Sequence, residues 1–365
     1  MDQIVFIGGM GRSGFNMLRN ILDSHPEVTA GPELNLIDDA MALYHLLTHR
    51  LEGGHTDSPV SVEEIRNTIG AFINSVYAPY AQKQGKRIVI DRNPGALWSF
   101  PVLADIFPNA KFIHLIRDGR DVACSHRDVG VRALTRGAKL DPIRNAAVNS
   151  IYYCAALWSE TQKFAWDNCG PESTLGRQGR AFTTFYENIV LSPESQTQAI
   201  CDFLEIEYKP EMIRPEMFEH AQTVDGIWSV ESDLNAPISM LSAGRWIDHL
   251  SLKDRIIFYA RGQVGLRVTG YDDGLEWLFR GSSVSVHAAT EAVDQARAEI
   301  LGLSAGAQPA STSSLEVEKR PELILEKIIA EPVTEGGALG KPLPEFEAIM
   351  RSAQDAVRSF FTQGR

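Results

Sequence analysis

Residues 3–24 constrain the fold of this chain more than any other stretch. Ile4-Val5-Phe6-Ile7 is a short, β-branched apolar run of the kind that makes a strand buried on both faces. The chain then turns through Gly8, Gly9, Gly11 and Gly14, and apolar residues return at helical spacing in Phe15, Leu18, Ile21 and Leu22. In a strand, glycine loop and helix of this kind, the first N–H groups of the helix have no intrahelical partner and lie at the positive end of its dipole. They form a seat for an anion. Arg12 and Ser13 add a charge and a hydroxyl, so the stretch reads as a phosphate-binding loop at the edge of a parallel sheet.

Two familiar versions of such a loop can be weighed directly. A nucleoside-triphosphate loop needs Lys and then Ser or Thr after its last glycine, whereas Gly14 is followed by Phe15 and Asn16. A dinucleotide loop is satisfied literally, because Gly9 to Gly14 matches G-x-G-x-x-G and an acid, Glu33, lies roughly 20 residues on. Its cofactor acid should end a second strand, however, and Pro26 to Pro32 is poor strand material.

Length and composition bound the rest. The chain has 365 residues, 44% of them hydrophobic, enough for one large α/β domain with an appendage or for two domains. A net charge of −12 argues against nonspecific binding to nucleic acid or to an anionic membrane, so any anion site must be local. Cys124, Cys154, Cys169 and Cys201 have no metal spacing and read as buried thiols in a reducing compartment. His45 and His49 are four apart but lack the glutamate of a metalloprotease helix, and no metal is expected. With the first strand beginning almost at once and no apolar run of about 18 residues, the expectation is a soluble, cytoplasmic protein.

Further along, helices are expected over 38–50, 62–84 and 98–107, and one long helical stretch over 141–168. Strands are expected at Arg87–Ile90, Lys111–Ile116 and Arg180–Phe185. His114 reads as a core histidine. Strands and helices alternate as βαβ units, which predicts a P-loop-like central parallel sheet with helices on both faces. The strand ends at 9–14, 91–94, 117–125 and 186–188 should then converge on one crevice. The α/β domain spans 1–281. A helix over 282–302, a flexible linker over 303–316 and a mostly helical extension over 317–365 follow, the last being the place where copies would associate.

Gly11-Arg12-Ser13-Gly14 and Arg117-Asp118-Gly119-Arg120-Asp121-Val122-Ala123-Cys124-Ser125 together resemble the sulfotransferases that use 3′-phosphoadenosine 5′-phosphosulfate (PAPS). The likeness continues in Phe107-Pro108-Asn109-Ala110-Lys111, Tyr186-Glu187-Asn188 and Gly244-Arg245-Trp246, and covers about residues 3–271 in family order. His25-Pro26 and Gly31-Pro32-Glu33 are similar to the branch that holds protein-tyrosine and bacterial small-molecule enzymes. The resemblance implies that the 5′-phosphosulfate is held by Arg12, Ser13, Gly14, Phe15 and Asn16. It places the 3′-phosphate on Arg117 and Ser125, with Gly244 and Arg245 as further donor-site positions. It also implies adenosine 3′,5′-bisphosphate (PAP) as the product, and Glu33 as the base that takes the acceptor's proton. Two departures stand out: Phe15 and Asn16 replace the two threonines usual after the loop glycine, and Arg92 replaces the usual lysine.

The chemistry agrees with that assignment. Sulfuryl transfer passes in line through a loose, charge-spread transition state, so positioning and positive charge do most of the work. Arg12, Arg92 and the loop N–H groups would clamp the transferring group. Each assignment has a plainer counterpart. The charged cluster at 117–121 could be solvated ion pairs; on the anion-binding reading Arg117 and Ser125 take the 3′-phosphate while Arg120 braces the loop. Glu33 could cap the following helix. Tyr186 lines an adenine pocket or packs, Asp91 and Asn93 orient Arg92 or cap, and Ser229 is a late-loop candidate. The acceptor is expected to be a hydroxyl or phenol on a small molecule, with Tyr44, Phe72, Phe218 and Trp228 as candidate lining. The alternatives are a dinucleotide-dependent oxidoreductase and a catalytically silent nucleotide-binding protein.

Overall fold

The computed structural model describes residues 1–31, 35–52, 60–140, 142–221, 236–271, 277–278, 291–292 and 295–296. The linker at 303–316 and the extension at 317–365 lie outside the described residues. So do Glu33, Trp228 and Ser229. Of the helix expected at 282–302, residues 291–292 and 295–296 are described and helical.

The described chain divides into two compact units, Met1–Asp118 with Thr161–Ala243, and Gly119–Glu160 with the residues from Gly244 on. The first holds a five-stranded, all-parallel sheet: β1 (Gln3–Gly8), β2 (Val28–Ala30), β3 (Ile88–Arg92), β4 (Lys111–Ile116) and β5 (Ala181–Phe185). Its order is β2-β3-β1-β4-β5. The α-helices between β1 and β4 are α1 (Phe15–Asp23), α2 (Leu36–Glu52), α3 (Val62–Gln84) and α4 (Phe100–Ile106).

Two-residue periodicity splits the sheet's side chains between two cores. Ile4, Phe6, Val89 and Phe112 point to one cluster, where Ile65, Ile69 and Ile73 of α3 meet them with Leu97 and Phe100. Val5, Ile7, Ile88, Ile90, Ile113 and Leu115 point to the other, with Phe15, Leu18 and Ile21 of α1 and with Ile200 and Leu204. Because both faces are covered, β1 and β4 carry continuous apolar runs instead of alternation. The predicted α/β fold, with its parallel sheet and helices on both faces, is present.

Three expectations need correction. Residues 28–30 do form a strand, although Pro26 and Gly31 bracket it. It is short and lies at the sheet edge, where β3 supplies its only sheet partner among the described residues. The stretch 141–168 is two helices, Pro142–Asn149 and Ile151–Cys169, with Ser150 between them accepting a hydrogen bond from Tyr153 N (3.4 Å). Phe72, named as candidate acceptor lining, is exposed on α3, whose inward series runs Ile65, Ile69, Ile73, Tyr77, Ala81.

His114 is a core residue, as read. Burial pushes its pKa down from 6.5 to about 4, with Gln162 opposing. A lowered histidine pKa means that the proton prefers the unfolded chain. The neutral ring's contribution is therefore complete above about pH 6.5 and is lost as pH falls toward 4. That amounts to about 3 kcal/mol over the interval. Denaturant unfolding at pH 7 and pH 4.5 should show it, and His114→Asn should lose most of the difference; equal acid sensitivity in both proteins would refute the assignment.

The second unit is built on α5 (Gly119–Arg136) and the helix Leu252–Thr269. Trp158 is, with Trp277, among its largest fully buried side chains in the described residues, packed 5.8 Å from Phe258 between ring centroids. A Cβ on Gly119 would meet the Trp158 ring at 2.4 Å, so a side chain there could not coexist with that packing.

Candidate active site

Parallel pairing brings the carboxyl ends of all five strands to one side of the sheet, where β1 runs into the glycine loop. Gly9 (φ 150°) and Gly14 (φ 97°) hold conformations that side chains avoid. A Cβ on Gly9 would meet Leu115 O at 2.5 Å, and one on Gly14 would meet the Tyr186 ring at 2.5 Å. Gly11 has nothing within 4 Å, so the loop needs two of the motif's glycines on steric grounds. Arg12 itself is left-handed (φ 73°), a conformation that recurs where consecutive backbone N–H groups form an anion-binding concavity. Gly14 caps α1, whose first turn carries no acidic residue. Ser13 is fully buried, and its hydroxyl has no hydrogen-bond partner among the described residues. A buried hydroxyl in that state calls for a ligand oxygen, and a phosphate or sulfate group fits.

Arg117 follows β4 and reaches back to this loop. Its Nη1 donates to Arg12 O (2.9 Å), its Nη2 donates to Ser242 O, and its guanidinium lies 4.6 Å from the centre of the Tyr186 ring. Tyr186 thus packs between Gly14 and Arg117, and its hydroxyl reaches Ser239 O at 3.4 Å. Next to it, Glu187 Oε1 accepts from Asp118 N (3.0 Å). The segment at 117–118 is therefore tied to the glycine loop and to the residues after β5.

The two departures from the family pattern meet each other. Arg92, at the end of β3, donates from Nη1 to Asn16 Oδ1 at 2.5 Å. Arginine and asparagine make one charge-assisted contact across the loop where the family has lysine and threonine. Phe15 is a different case: its side chain is buried in the second core cluster, so only its backbone can face an anion. Asn93 Oδ1 caps the turn after β3 by accepting from Gly95 N (2.9 Å), and Tyr77 donates to Asp91 Oδ2.

Ser125, Gly244 and Arg245 belong to the second unit. There Asp121, wholly buried, accepts from Gly244 N (2.7 Å) and Trp246 N (2.9 Å), which fixes the Gly244-Arg245-Trp246 turn on α5. Arg245 pairs with Asp128 (2.6 Å), and Arg120 is held between the rings of Trp246 (4.2 Å) and Trp277 (4.5 Å). Arg120 thus packs against two aromatic rings, and Trp246 is buried. Sequence reasoning missed Asp121; only its pairing with a segment more than a hundred residues away reveals its role.

The strand order removes the ground on which a dinucleotide loop was first set aside and supplies a better one. A strand does precede Glu33, but β3 lies between it and β1. The acid therefore follows a strand about 10 Å from the glycine loop's own, whereas the dinucleotide fold needs it on the neighbouring strand.

Comparison with known proteins agrees with the geometry. A model of the sulfotransferase family matches residues 4–210, more than half of the chain. Protein-tyrosine sulfotransferase 2 of Gallus gallus is 28% identical over 257 residues, covering 68% of this chain and 64% of that one. The chain spans between about half and two thirds of the length of curated relatives of this kind. Among solved structures, the sulfotransferase domain of the Synechococcus PCC 7002 olefin synthase has a TM-score of 0.44 at 23% identity, over 70% of this chain and 93% of that one. A mouse sulfotransferase complexed with PAP gives 0.37 at 14%, over 74% and 89%. The expectation of a cytoplasmic protein is corrected, since the protein-tyrosine sulfotransferases that the chain matches are Golgi membrane enzymes. Among the described residues no helix is long and apolar enough to cross a membrane. With its glycine loop, the Arg117 contact and the order of its motifs accounted for, the chain belongs to the sulfotransferase family.

Proposed function

We propose that this chain transfers a sulfuryl group from PAPS to the hydroxyl of a small molecule, releasing PAP. The observation that carries the reading is the Arg117 contact to the Arg12 carbonyl across the glycine loop, beside the buried, unpartnered hydroxyl of Ser13. When bound, PAPS supplies an activated sulfuryl group on a phosphate leaving group. The loop N–H groups with Ser13 hold its 5′ end. Arg12 and Arg92 supply charge where it builds up in the transition state, with Asn16 fixing the Arg92 guanidinium. Arg117 recognises the 3′-phosphate. Ser125, Gly244 and Arg245 keep the donor-site assignment that their positions in the family pattern imply. Glu33 takes the proton of the acceptor hydroxyl as its oxygen bonds to sulfur and the sulfur–phosphate oxygen bond breaks.

A small hydroxyl or phenol is favoured over an acidic tyrosine peptide because a net charge of −12 gives such a peptide no general attraction. Calorimetric titration of the full chain with PAP, NADP⁺ and ATP tests the donor assignment. PAP alone should bind tightly. Preference for NADP⁺, or no nucleotide binding, would sink it.

A further inference from the structure

A cavity of about 200 Å³ lies beside the carboxyl end of β3. Val76, Tyr77 and Tyr80 of α3 form an apolar and aromatic wall, and Asp91, Arg92 and Asn93 form a polar end. The sequence reading places acceptor-site residues at about 38–80 and 210–240, a span that includes this wall, but names Tyr44, Phe72, Phe218 and Trp228 as its candidate lining. Tyr44 belongs to the first core cluster and Phe72 is exposed, whereas Tyr77 and Tyr80 were not singled out. The polar end is organised: Tyr77 donates to Asp91, Arg92 is bonded to Asn16 of the glycine loop, and Asn93 is held by its bond from Gly95. Asn93 Nδ2 is buried and has no hydrogen-bond partner among the described residues, which leaves a donor that a ligand oxygen would satisfy. Burial, first, and Asp91 push the Tyr77 hydroxyl's pKa upward, so it stays a donor at any physiological pH.

Resting on the sulfotransferase reading above, we infer that this cavity is the acceptor subsite and that it takes a single-ring phenol or an alcohol of similar size, its hydroxyl at the Asp91–Asn93 end. Size is the first argument. An apolar cavity of about 150 Å³ takes one benzene ring, and pockets for drug-sized ligands start near 300 Å³, so this cavity holds one ring with small substituents. Charge is the second. Among the lining residues one carboxylate and one guanidinium offset each other, and Arg92 is already engaged with the loop. An acidic peptide finds no surplus of positive charge there. Position is the third, because Arg92 belongs both to this cavity and to the loop contact proposed to clamp the transferring group.

The test is sulfation by the full chain with PAPS of 4-nitrophenol, 1-naphthol and a tyrosine peptide flanked by acidic residues, alongside calorimetry with PAP. The wild type should prefer 4-nitrophenol by about tenfold or more in kcat/KM over both others. Val76→Phe, which fills the cavity from its apolar wall, should raise the KM for 4-nitrophenol about tenfold and leave PAP affinity unchanged. Should that variant not fold, ligand-observed NMR of 4-nitrophenol on the PAP-bound wild type must show binding that 1-naphthol competes for poorly. Equal use of all three acceptors, preference for the peptide, or an unchanged KM in folded Val76→Phe overturns the acceptor assignment while PAP binding leaves the donor reading standing. Absence of PAP binding removes both.

Discussion

Arg117→Ala should bind PAP about 10- to 100-fold more weakly than the wild type while remaining folded. Hydrogen bonds to a charged group contribute about 1.5–3 kcal/mol, which is the source of that range. On the proposed assignment Arg117 supports the donor site in two ways. Its charge would meet the 3′-phosphate, and its Nη1 steadies the carbonyl of Arg12, a residue already in a left-handed conformation that loops hold only when their surroundings fix it. Arg117→Lys separates the contributions, because lysine keeps the charge but cannot hold two carbonyls with a planar fork while stacking on Tyr186. Lysine should recover a minor part of the affinity. Calorimetry reads the affinity and a thermal melt checks the fold. An unchanged Kd in folded Arg117→Ala would return the 117–121 cluster to a purely structural role.

The parts of this site that were legible in the sequence are the local ones. Gly9, Arg12, Ser13 and Gly14 lie within six consecutive residues where the glycines announce the turn and Arg12 and Ser13 the charge and hydroxyl, although residue type did not announce the left-handed conformation of Arg12. Likewise β1 and β4 announced themselves as apolar runs because nearly all of their side chains are buried, whereas β5 shows through its aromatic and β-branched residues. β2 did not, since the three residues Val28–Ala30 have no pattern of their own and become a strand only by pairing with β3. The break at Ser150 was hidden for a similar reason: a hydroxyl that caps one helix inside a longer helical pattern resembles an ordinary surface serine. Long-range pairs were out of reach. Arg92 and Asn16 look like two separate losses from a family pattern, and only their contact, across 76 positions of chain, turns them into one exchange. Tyr77 was obscured by its own helix, because the same spacing that buries Ile65, Ile69 and Ile73 carries it from the core to the cavity wall.

Glu33→Ala should lower kcat by about 10²–10⁴ with PAP affinity retained, a barrier increase of roughly 3–5 kcal/mol. Glu33 itself lies outside the described residues, so the expectation rests on its place in the chain. It comes three residues after β2 ends at Ala30 and three before α2 begins at Leu36. Because β2 runs parallel to β3, its carboxyl end lies on the same side of the sheet as Arg92 and the glycine loop. A carboxylate on that side suits an acceptor hydroxyl, which must lose its proton as it bonds to sulfur, and the arginines assigned to the transferring group cannot take that proton. The competing role is a cap for α2, and the two give opposite readouts. A cap lost to alanine lowers the melting temperature by an amount worth about 1 kcal/mol and leaves turnover nearly intact. A lost base leaves the melt nearly unchanged and suppresses turnover. Glu33→Asp completes the test. A shortened carboxylate should recover part of kcat with the acid limb of its pH profile, whereas Glu33→Gln, equal in size but without a base, should not. Turnover of 4-nitrophenol at near wild-type kcat in folded Glu33→Ala would remove Glu33 from the mechanism and leave the clamp of Arg12, Arg92 and the loop amides to act without a dedicated base.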